Sequence, residues 1–389
     1  MSGSVYIVSA EPSGDALSVG LIRELRARRP DLAIHAIGGA KVEAEGFTSA
    51  IEVSPLSVLG FVEGLRALPV VNALAMRAVQ DIVRKKPDVV VLIDSWGFMI
   101  RVAKLLKLNG LETQIVKYVA PQVWAMRRGR TKVLARYVDR LLALYPFDVP
   151  FFEAVGLPTE CVGNPVLDVD WAAGDGRAFR RKHRIRASDP VLFVAFGSRT
   201  AEIERLLEPF LDTIARVRAK YPNLVVVAPT VPNTAGQLAA KLAVAGDVGR
   251  HVITVPSHIE GGTRDALAAS DIALLKSGTV TTQAADAGVP GVVAYRVSPL
   301  TYVAAKLLFR ADYISMVNVC ANAPLLPEFV QDDVVPERMA AQLMAWLANP
   351  AEAKARSEAL RAVTRQMRGE GGANARAAEA VLGCLGPGG

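Results

Sequence analysis

The chain has 389 residues, of which 51% are hydrophobic, 21% charged and 6% aromatic. This length predicts two or three domains, each large enough to bury a core of its own. The composition excludes a disordered, collagen-like or coiled-coil protein. Because Ala and Leu are plentiful and aromatic residues are few, an all-β fold is also disfavoured.

No apolar run approaches the roughly 18 residues of a transmembrane helix. The first residues, MSGSVYIVSAEPSGD, lack the basic region of a secretory signal. The three cysteines and four histidines are scattered, with no CxxC or HExxH pattern. We therefore expect a cytoplasmic protein without disulfides, metal or cofactor.

Short apolar runs alternate with helical patterns along the whole chain, which is the βαβ order of an α/β protein. Such runs are typical of strands that are buried on both faces of a parallel sheet. Strands are predicted at Ser4–Ala10, Leu32–Ile37, Val89–Asp94, Gln114–Val119, Arg140–Leu144, Val191–Phe196, Leu224–Ala228, His251–Val255, Ile272–Leu275 and Gly291–Ala294. Helical patterns between them include Ala16–Arg29, Leu74–Lys86, Ile203–Lys220 and Thr234–Ala245.

The chain has two similar halves. One opens with VYIVSAEPSGD from Val5 and the other with VLFVAFGSRTAEI from Val191, each a strand, a Gly-bearing loop and a helix. The segment between them, Gly163–Pro190, is rich in Gly, Asp, Arg and Pro and predicts a linker. We expect two doubly wound halves that face each other across a cleft, with ligands at the carboxyl ends of the strands.

The first loop, SAEPSGD at residues 9–15, places Glu11, Ser13, Gly14 and Asp15 between a strand and a helix. Helix capping alone accounts for a hydroxyl or an acid at such a position. Two acids, a serine and a glycine within five residues at the end of a strand favour a functional site instead of a simple cap. A carboxylate there can bind sugar hydroxyls or act as a general base.

Two loops of the second half have the composition of phosphate-binding sites. One contains Gly197, Ser198, Arg199 and Glu202, and the other is the stretch KSGTVTTQ at residues 276–283. Backbone N–H groups at helix starts bind anions, and Arg adds a bidentate donor, so two such loops suit a nucleotide diphosphate. Ordinary capped helices are the alternative. The absence of GxGxxG and GxxxxGK[ST] disfavours a Rossmann NAD enzyme and a P-loop protein.

Much of the formal net charge of +7 lies in one stretch, residues 127–140, where six bases accompany one acid. A solvated helix face and contact with anionic lipid or a phosphorylated substrate explain this cluster of bases equally well. Nucleic acid has no supporting motif. A second segment, residues 56–71, is apolar and broken by glycines, which predicts either core or a patch that meets lipid.

The loops described above belong to nine sequence blocks in which the chain resembles the lipid-A-disaccharide synthases, inverting glycosyltransferases of the GT-B type. The blocks follow one another almost from end to end, so that chance similarity is implausible. They are SAEPSGD (9–15), GGAKVEAEGF (38–47), LGFVEGLRALP (59–69), PDVVVLIDSWGF (87–98), YVAPQVWAMRRGRTKVLARYVD (118–139), LYPFDVPFFEAVG (144–156), FVAFGSRTAEI (193–203), SGTVTTQAADAGVP (277–290) and DYISMVNVCANAPLLPEFVQDD (312–333).

The resemblance implies two Rossmann-like domains, residues 1–165 for the acylated acceptor and 166–345 for the nucleotide sugar. It implies a helical tail, residues 346–389, that packs back on the first domain. The family joins UDP-2,3-diacylglucosamine to 2,3-diacylglucosamine 1-phosphate and releases UDP. Such a protein works at the inner face of the bacterial inner membrane, with a UDP-sugar as substrate and no nucleic acid partner. The sequence leaves oligomer formation open.

The candidate site residues fall into four groups. Catalytic candidates are Glu11, Asp15 and Asp94, and acceptor-binding candidates are Ser13 and Gly14. Donor-binding candidates are Gly197, Ser198, Arg199, Glu202, Ser277, Gly278, Thr279, Gln283 and Asn318. Candidates for contact with an anionic membrane are Leu59, Phe61, Val62, Leu65, Arg127, Arg128 and Arg130.

The chain departs from the family pattern at chemically important positions. Gly97 stands where the family commonly has an Asp that is a proposed base, and Gln283 stands where it usually has a Glu. Two hypotheses follow. One is an active synthase that uses Glu11 or Asp15, and the other is a diverged paralogue that transfers another sugar or only binds a nucleotide sugar or lipid.

Overall fold

The computed structural model describes residues 3–56, 68–257, 259, 261–299, 302, 309 and 311–386. The chain divides into two compact units. The first comprises Met1–Asp168, Leu308–Arg310 and Met367–Gly389, and the second comprises Val169–Leu307 and Ala311–Gln366. The last division falls inside a long helix, Pro350–Arg368.

The first unit contains a six-stranded parallel sheet in the order β2-β1-β3-β4-β5-β6. The five strands predicted for this half are all present. A sixth, three-residue strand at the sheet edge was missed. The strands are β1 (Ser4–Val8), β2 (Ala33–Ile37), β3 (Val89–Ile93), β4 (Gln114–Tyr118), β5 (Arg140–Ala143) and β6 (Thr159–Cys161).

Helices cover both faces of this sheet, which explains why its strands are apolar throughout. In β1, Tyr6 and Val8 contribute to one core, whereas Val5 and Ile7 contribute to the core on the other face. The helices are α1 (Pro12–Arg28), α2 (Ala40–Ala44), α3 (Leu68–Lys85), α4 (Trp96–Leu108), α5 (Arg130–Tyr137) and α6 (Val149–Glu153).

The second unit repeats the design with a parallel sheet in the order β12-β11-β10-β7-β8-β9. Its strands are β7 (Val191–Ala195), β8 (Val225–Thr230), β9 (Val252–Pro256), β10 (Ile272–Lys276), β11 (Gly291–Tyr295) and β12 (Glu328–Val330). Its helices are α7 (Gly176–Lys182), α8 (Thr200–Lys220), α9 (Pro232–Val244), α10 (Gly246–Arg250), α11 (Gly262–Ala268), α12 (Thr279–Ala287), α13 (Met316–Ala321), α14 (Pro336–Ala348) and α15 (Pro350–Arg368). The predicted α/β fold with two doubly wound sheets is confirmed.

The end of the chain returns to the first unit, as the resemblance implies. Helix α16 (Ala373–Leu382) packs against α1. The carboxylate of Asp168 accepts hydrogen bonds from the backbone N–H groups of Ala373, at 2.6 Å, and Asn374, at 2.9 Å. These N–H groups at the first turn of a helix have no partner inside the helix, so Asp168 fixes where the tail docks.

The segment Gly163–Pro190 is more structured than a linker. Pro165–Asp168 and Trp171–Ala173 form 3-10 turns, and α7 follows them. The aspartates that suggested a loop cap these elements, because Asp170 accepts from Ala172 N and Asp175 from Ala178 N.

Candidate active site

Each sheet has one point at which its strand order reverses. In the first sheet β1 leads towards β2 and β3 leads towards β4, so the loops after β1 and β3 diverge from adjacent strands. In the second sheet the same relation holds for β7 and β10. Ligands of doubly wound sheets bind at these switch points. The loops after β1, β3, β7 and β10, which carry predicted site residues, lie there.

In the first unit, the loops after β1 and β3 touch each other. Ser13 Oγ donates a hydrogen bond of 2.7 Å to Asp94 Oδ2. Gly14 lies so close that an added Cβ would stand 3.4 Å from Asp94 Cβ. The structure therefore brings together the predicted acceptor-binding residues Ser13 and Gly14 and the catalytic candidate Asp94.

The backbone at this edge is strained. Asp94, Ser95 and Val119 have φ angles of 55°, 34° and 76°, in the left-handed region. This conformation is least favourable for a β-branched residue such as Val119, and such residues cost about 1–3 kcal/mol each. Strain of this kind persists where the surrounding structure holds the chain, as it does at many functional sites.

The two acids of the first loop have different surroundings. Asp15 is buried, and its carboxylate accepts hydrogen bonds from Gly39 N at 2.8 Å and Lys41 N at 2.9 Å. It therefore anchors the start of α2, and its catalytic role stays a prediction that this geometry disfavours. Glu11 is half-exposed at the N-cap of α1, where the helix dipole favours a carboxylate.

Sequence analysis missed Lys117, which lies in the middle of the sheet. Its side chain is buried, with 2% exposed, and Nζ donates a 2.8 Å hydrogen bond to the carbonyl of Tyr118. Burial lowers the pKa of Lys117 to about 7, although the charges of Asp94 and Glu11 oppose this shift. The available signal was one Lys in the apolar strand QIVKY.

In the second unit, Glu202 joins the loops after β7 and β10. Its Oε2 accepts from Ser198 N at 2.9 Å, and its Oε1 pairs with Lys276 Nζ at 2.8 Å and Arg199 Nη1 at 3.1 Å. Burial acts to raise the pKa of Glu202, but the hydrogen bond and charge of Lys276 outweigh it and hold that pKa below its usual range. Lys276 lies at the start of the predicted loop 276–283, but the sequence did not predict it as a site residue.

Gly197 is required by the geometry of its loop. Its φ is 132°, and an added Cβ would come within 2.7 Å of Glu202 Cβ. A side chain at this position would displace Glu202 and with it the turn that opens α8.

The other predicted donor residues occupy three places. Ser277, Gly278 and Thr279 form the turn that opens α12, and Gln283 is half-buried one turn further along. Asn318 lies fully buried in α13, where Nδ2 donates to the carbonyl of Leu326 at 2.7 Å and to Glu328 Oε1 at 2.8 Å. We therefore expect Asn318 to fix its loop.

The basic stretch follows β4 and so begins at the same sheet edge as Asp94. Arg127 and Arg128 are exposed, whereas the Arg130 guanidinium lies 4.8 Å from the ring centroid of Trp96. The apolar membrane-contact candidates Leu59, Phe61, Val62 and Leu65 fall outside the described residues.

Gly97, in the first turn of α4, has room for a side chain. It is exposed, and the nearest atom to an added Cβ is Arg101 Nη1 at 3.7 Å. The absence of a carboxylate here is therefore not imposed by packing.

The described residues contain neither a cluster of metal ligands nor a membrane-spanning helix. Within those ranges, no three His, Cys, Asp or Glu side chains are grouped to hold a metal ion. None of the described helices combines the length and the apolar character needed to cross a bilayer.

Solved structures share the architecture. A UDP complex of MnaA from S. aureus matches with a TM-score of 0.65 at 13% identity, covering 96% of this chain and 94% of that one. UDP-GlcNAc 2-epimerase from Neisseria meningitidis, bound to UDP-GlcNAc, gives 0.65 at 11% identity over 98% and 100% of the chains. MurG from Acinetobacter baumannii gives 0.59 at 15% identity over 98% and 99%. At such low identities the TM-scores show the fold alone, which is the GT-B fold.

Sequence relatives define the class and the family. With its GT-B fold, the chain is a UDP-sugar-dependent hexosyltransferase. The family model "Lipid-A-disaccharide synthetase" matches residues 5–381. Lipid-A-disaccharide synthases from Paramagnetospirillum magneticum, Rhodospirillum centenum and Pseudomonas aeruginosa are 38%, 37% and 36% identical over 97% of this chain and 96%, 94% and 97% of their own lengths.

The chain belongs to the lipid-A-disaccharide synthase family. Its function is glycosyl transfer in lipid A biosynthesis, which confirms the synthase function predicted from the sequence, whereas the roles of Glu11 and Asp15 stay predictions. The relatives give no support to a diverged paralogue.

Proposed function

We propose that the chain transfers the diacylglucosamine of UDP-2,3-diacylglucosamine to the 6-hydroxyl of 2,3-diacylglucosamine 1-phosphate, with inversion. Family membership supports the substrates. The observation that carries the site assignment is the contact between Ser13 and Asp94, which joins the loops after β1 and β3 at the first switch point.

Glu11 is the proposed general base. It removes the proton of the acceptor hydroxyl as the oxygen forms its bond to the anomeric carbon, and the bond between that carbon and the diphosphate breaks with its electron pair leaving on UDP. Asp15 anchors α2 through the N–H groups of Gly39 and Lys41, and Asp94 accepts a hydrogen bond from Ser13. Gly97 supplies no carboxylate.

The second switch point is the proposed donor site. The N-termini of α8 and α12 direct backbone N–H groups towards the sheet edge, and Arg199 adds a guanidinium whose side chain is 75% exposed. Together they would stabilise the charge that develops on the leaving diphosphate. Glu202 holds both loops in place through Ser198 and Lys276.

Membrane attachment is proposed for the first unit, at the inner face of the inner membrane. Both substrates carry acyl chains, so the enzyme has to reach a lipid surface. The exposed Arg127 and Arg128 supply positive charge at the sheet edge that holds the acceptor loops. Helix α3 adds two exposed apolar residues, Val70 at the end of the apolar segment 56–71 and Met76 beyond it, which are 48% and 52% accessible.

Arg199→Ala is expected to weaken UDP binding by roughly 1.5–3 kcal/mol, the range for hydrogen bonds to charged groups. Isothermal titration calorimetry measures the effect. Arg205→Ala is the matched control, since Arg205 is an exposed arginine on the same helix whose guanidinium donates to the carbonyl of Ala201. Equal UDP affinities for wild type and Arg199→Ala would remove Arg199 from the site.

Glu11→Gln is expected to lower kcat about 10²–10⁴-fold, the usual contribution of general-base catalysis. UDP affinity should stay unchanged, because the donor residues belong to the other unit. Disaccharide formation measures kcat, and Glu43→Gln, at an exposed position of α2, is the control. A Glu11→Gln enzyme with more than about half the wild-type kcat would show that another group is the base.

Gly97→Asp provides a companion to that measurement. The site has room for the side chain, so the variant should fold like the wild type. If Glu11 supplies the base, kcat should change by less than about tenfold. A larger gain would mean that Gly97 limits the chemistry of this chain.

Binding to anionic vesicles is expected to decrease with salt, and to decrease further in an Arg127→Ser, Arg128→Ser double variant. Each base near an anionic surface contributes about 1 kcal/mol. Arg181→Ser with Lys182→Ser removes the same charge from exposed positions in the second unit and should have a smaller effect. Equal sedimentation with neutral and anionic vesicles would assign the basic stretch another role.

A further inference from the structure

Lys117 is a cation placed where the fold otherwise keeps apolar side chains. It lies in β4, whose register pairs it with Leu92 of β3 and Leu141 of β5. Its residue surface is 2% exposed. An ammonium group in such a place is unfavourable unless nearby groups compensate its charge.

The compensation comes from the proposed acceptor site. Lys117 Nζ and Asp94 N donate to the same acceptor, the carbonyl of Tyr118, over 2.8 Å and 3.0 Å. Asp94 in turn accepts the hydrogen bond from Ser13. One carbonyl therefore connects the buried ammonium to the loop after β3, and the Asp94 carboxylate connects it to the loop after β1.

Two carboxylates act on this ammonium electrostatically. Asp94 comes from the loop after β3 and Glu11 from the loop after β1, and both favour the charged form of Lys117. In the part of the chain that the structure describes, they are the charged groups with a resolved effect on it. Burial outweighs their attraction and lowers the pKa of Lys117 to about 7. The charge of Lys117 therefore changes within the physiological range.

We propose that Lys117 is a positioning residue for glycosyl transfer, whose buried ammonium, by its charge and through the carbonyl of Tyr118, holds the loops that carry Glu11 and Asp94 in place at the sheet edge. This inference rests on the proposed role of Glu11 as base. Lys117 itself lies in β4, one residue before the end of the strand, and acts on the loops through the carbonyl of Tyr118. The hydrogen bond also fixes the carbonyl of Tyr118, which precedes the strained Val119 and accepts from the backbone N–H of the strained Asp94.

The first measurement is the titration of Lys117 itself, followed by NMR of protein with ¹³C-labelled lysine and assigned by its loss in Lys117→Met. The wild-type midpoint is expected near pH 7. Glu11→Gln and Asp94→Asn should each lower that midpoint by about half a pH unit or more, because each removes a charge that stabilises the ammonium. A midpoint that neither variant moves would overturn the proposal.

The second measurement is the pH dependence of kcat in Lys117→Met, a change that roughly conserves side-chain volume. We expect kcat at pH 7 to decrease at least about tenfold, with KM for the UDP-sugar within about twofold of wild type. The acidic limb of the profile should move about one pH unit higher, because the base takes up a proton more readily without its cation. Lys117→Gln repeats the test with a polar side chain, and Lys104→Met, at an exposed position of α4, is the matched control.

The outcomes separate the two proposals. If Glu11→Gln abolishes activity while both Lys117 variants keep the wild-type kcat and pH profile, the base assignment stands and the role of Lys117 is overturned. If Glu11→Gln retains activity, the base assignment is wrong. In that case only a lowered Lys117 midpoint in Asp94→Asn, together with a lowered kcat in Lys117→Met, supports positioning, and failure of either overturns it.

Discussion

Burial on both faces of two parallel sheets is the constraint on which the rest of the structure depends. Val89–Ile93 and Val191–Ala195 are buried at every residue, so polar chemistry is confined to the ends of such strands. The loops after β1, β3, β7 and β10 meet in pairs at the switch points. Reactive side chains in each unit are therefore set close together by the strand order rather than by local sequence.

Each switch point contains a buried charged residue, and the two residues have opposite charges. In the first unit the ammonium of Lys117 is attracted by the carboxylates of Glu11 and Asp94. In the second the carboxylate of Glu202 contacts a loop that presents backbone N–H groups and Arg199. This suits a base at the acceptor site and an anion-binding donor site.

Much of this fold was predictable because long apolar runs have few alternatives in an α/β chain. All ten predicted strands are present, whereas Thr159–Cys161 and Glu328–Val330 were missed. Both are three residues long and only partly buried, so they lack the pattern that revealed the others. The segment Gly163–Pro190 was predicted to be a linker because it is rich in aspartate and glycine. Aspartates are common in loops, but they also cap the N-termini of short helices, as Asp170 and Asp175 do here.

The site was predictable where chemistry follows a strand directly, as in the loops of Ser13 and Gly197. Lys117 and Lys276 escaped prediction because a single Lys in an apolar run carries no information about its neighbours. Only the strand register shows that Lys117 faces Leu92 and Leu141, and only the tertiary fold places Lys276 against Glu202.

The most direct test of the account is the reaction itself. Purified protein would be given UDP-2,3-diacylglucosamine and 2,3-diacylglucosamine 1-phosphate, with UDP release and lipid products followed together. The account predicts one UDP released for each β-1,6-linked disaccharide 1-phosphate formed, and none released without the acceptor. UDP release that does not require the acceptor, or binding of the UDP-sugar without any disaccharide, would contradict it.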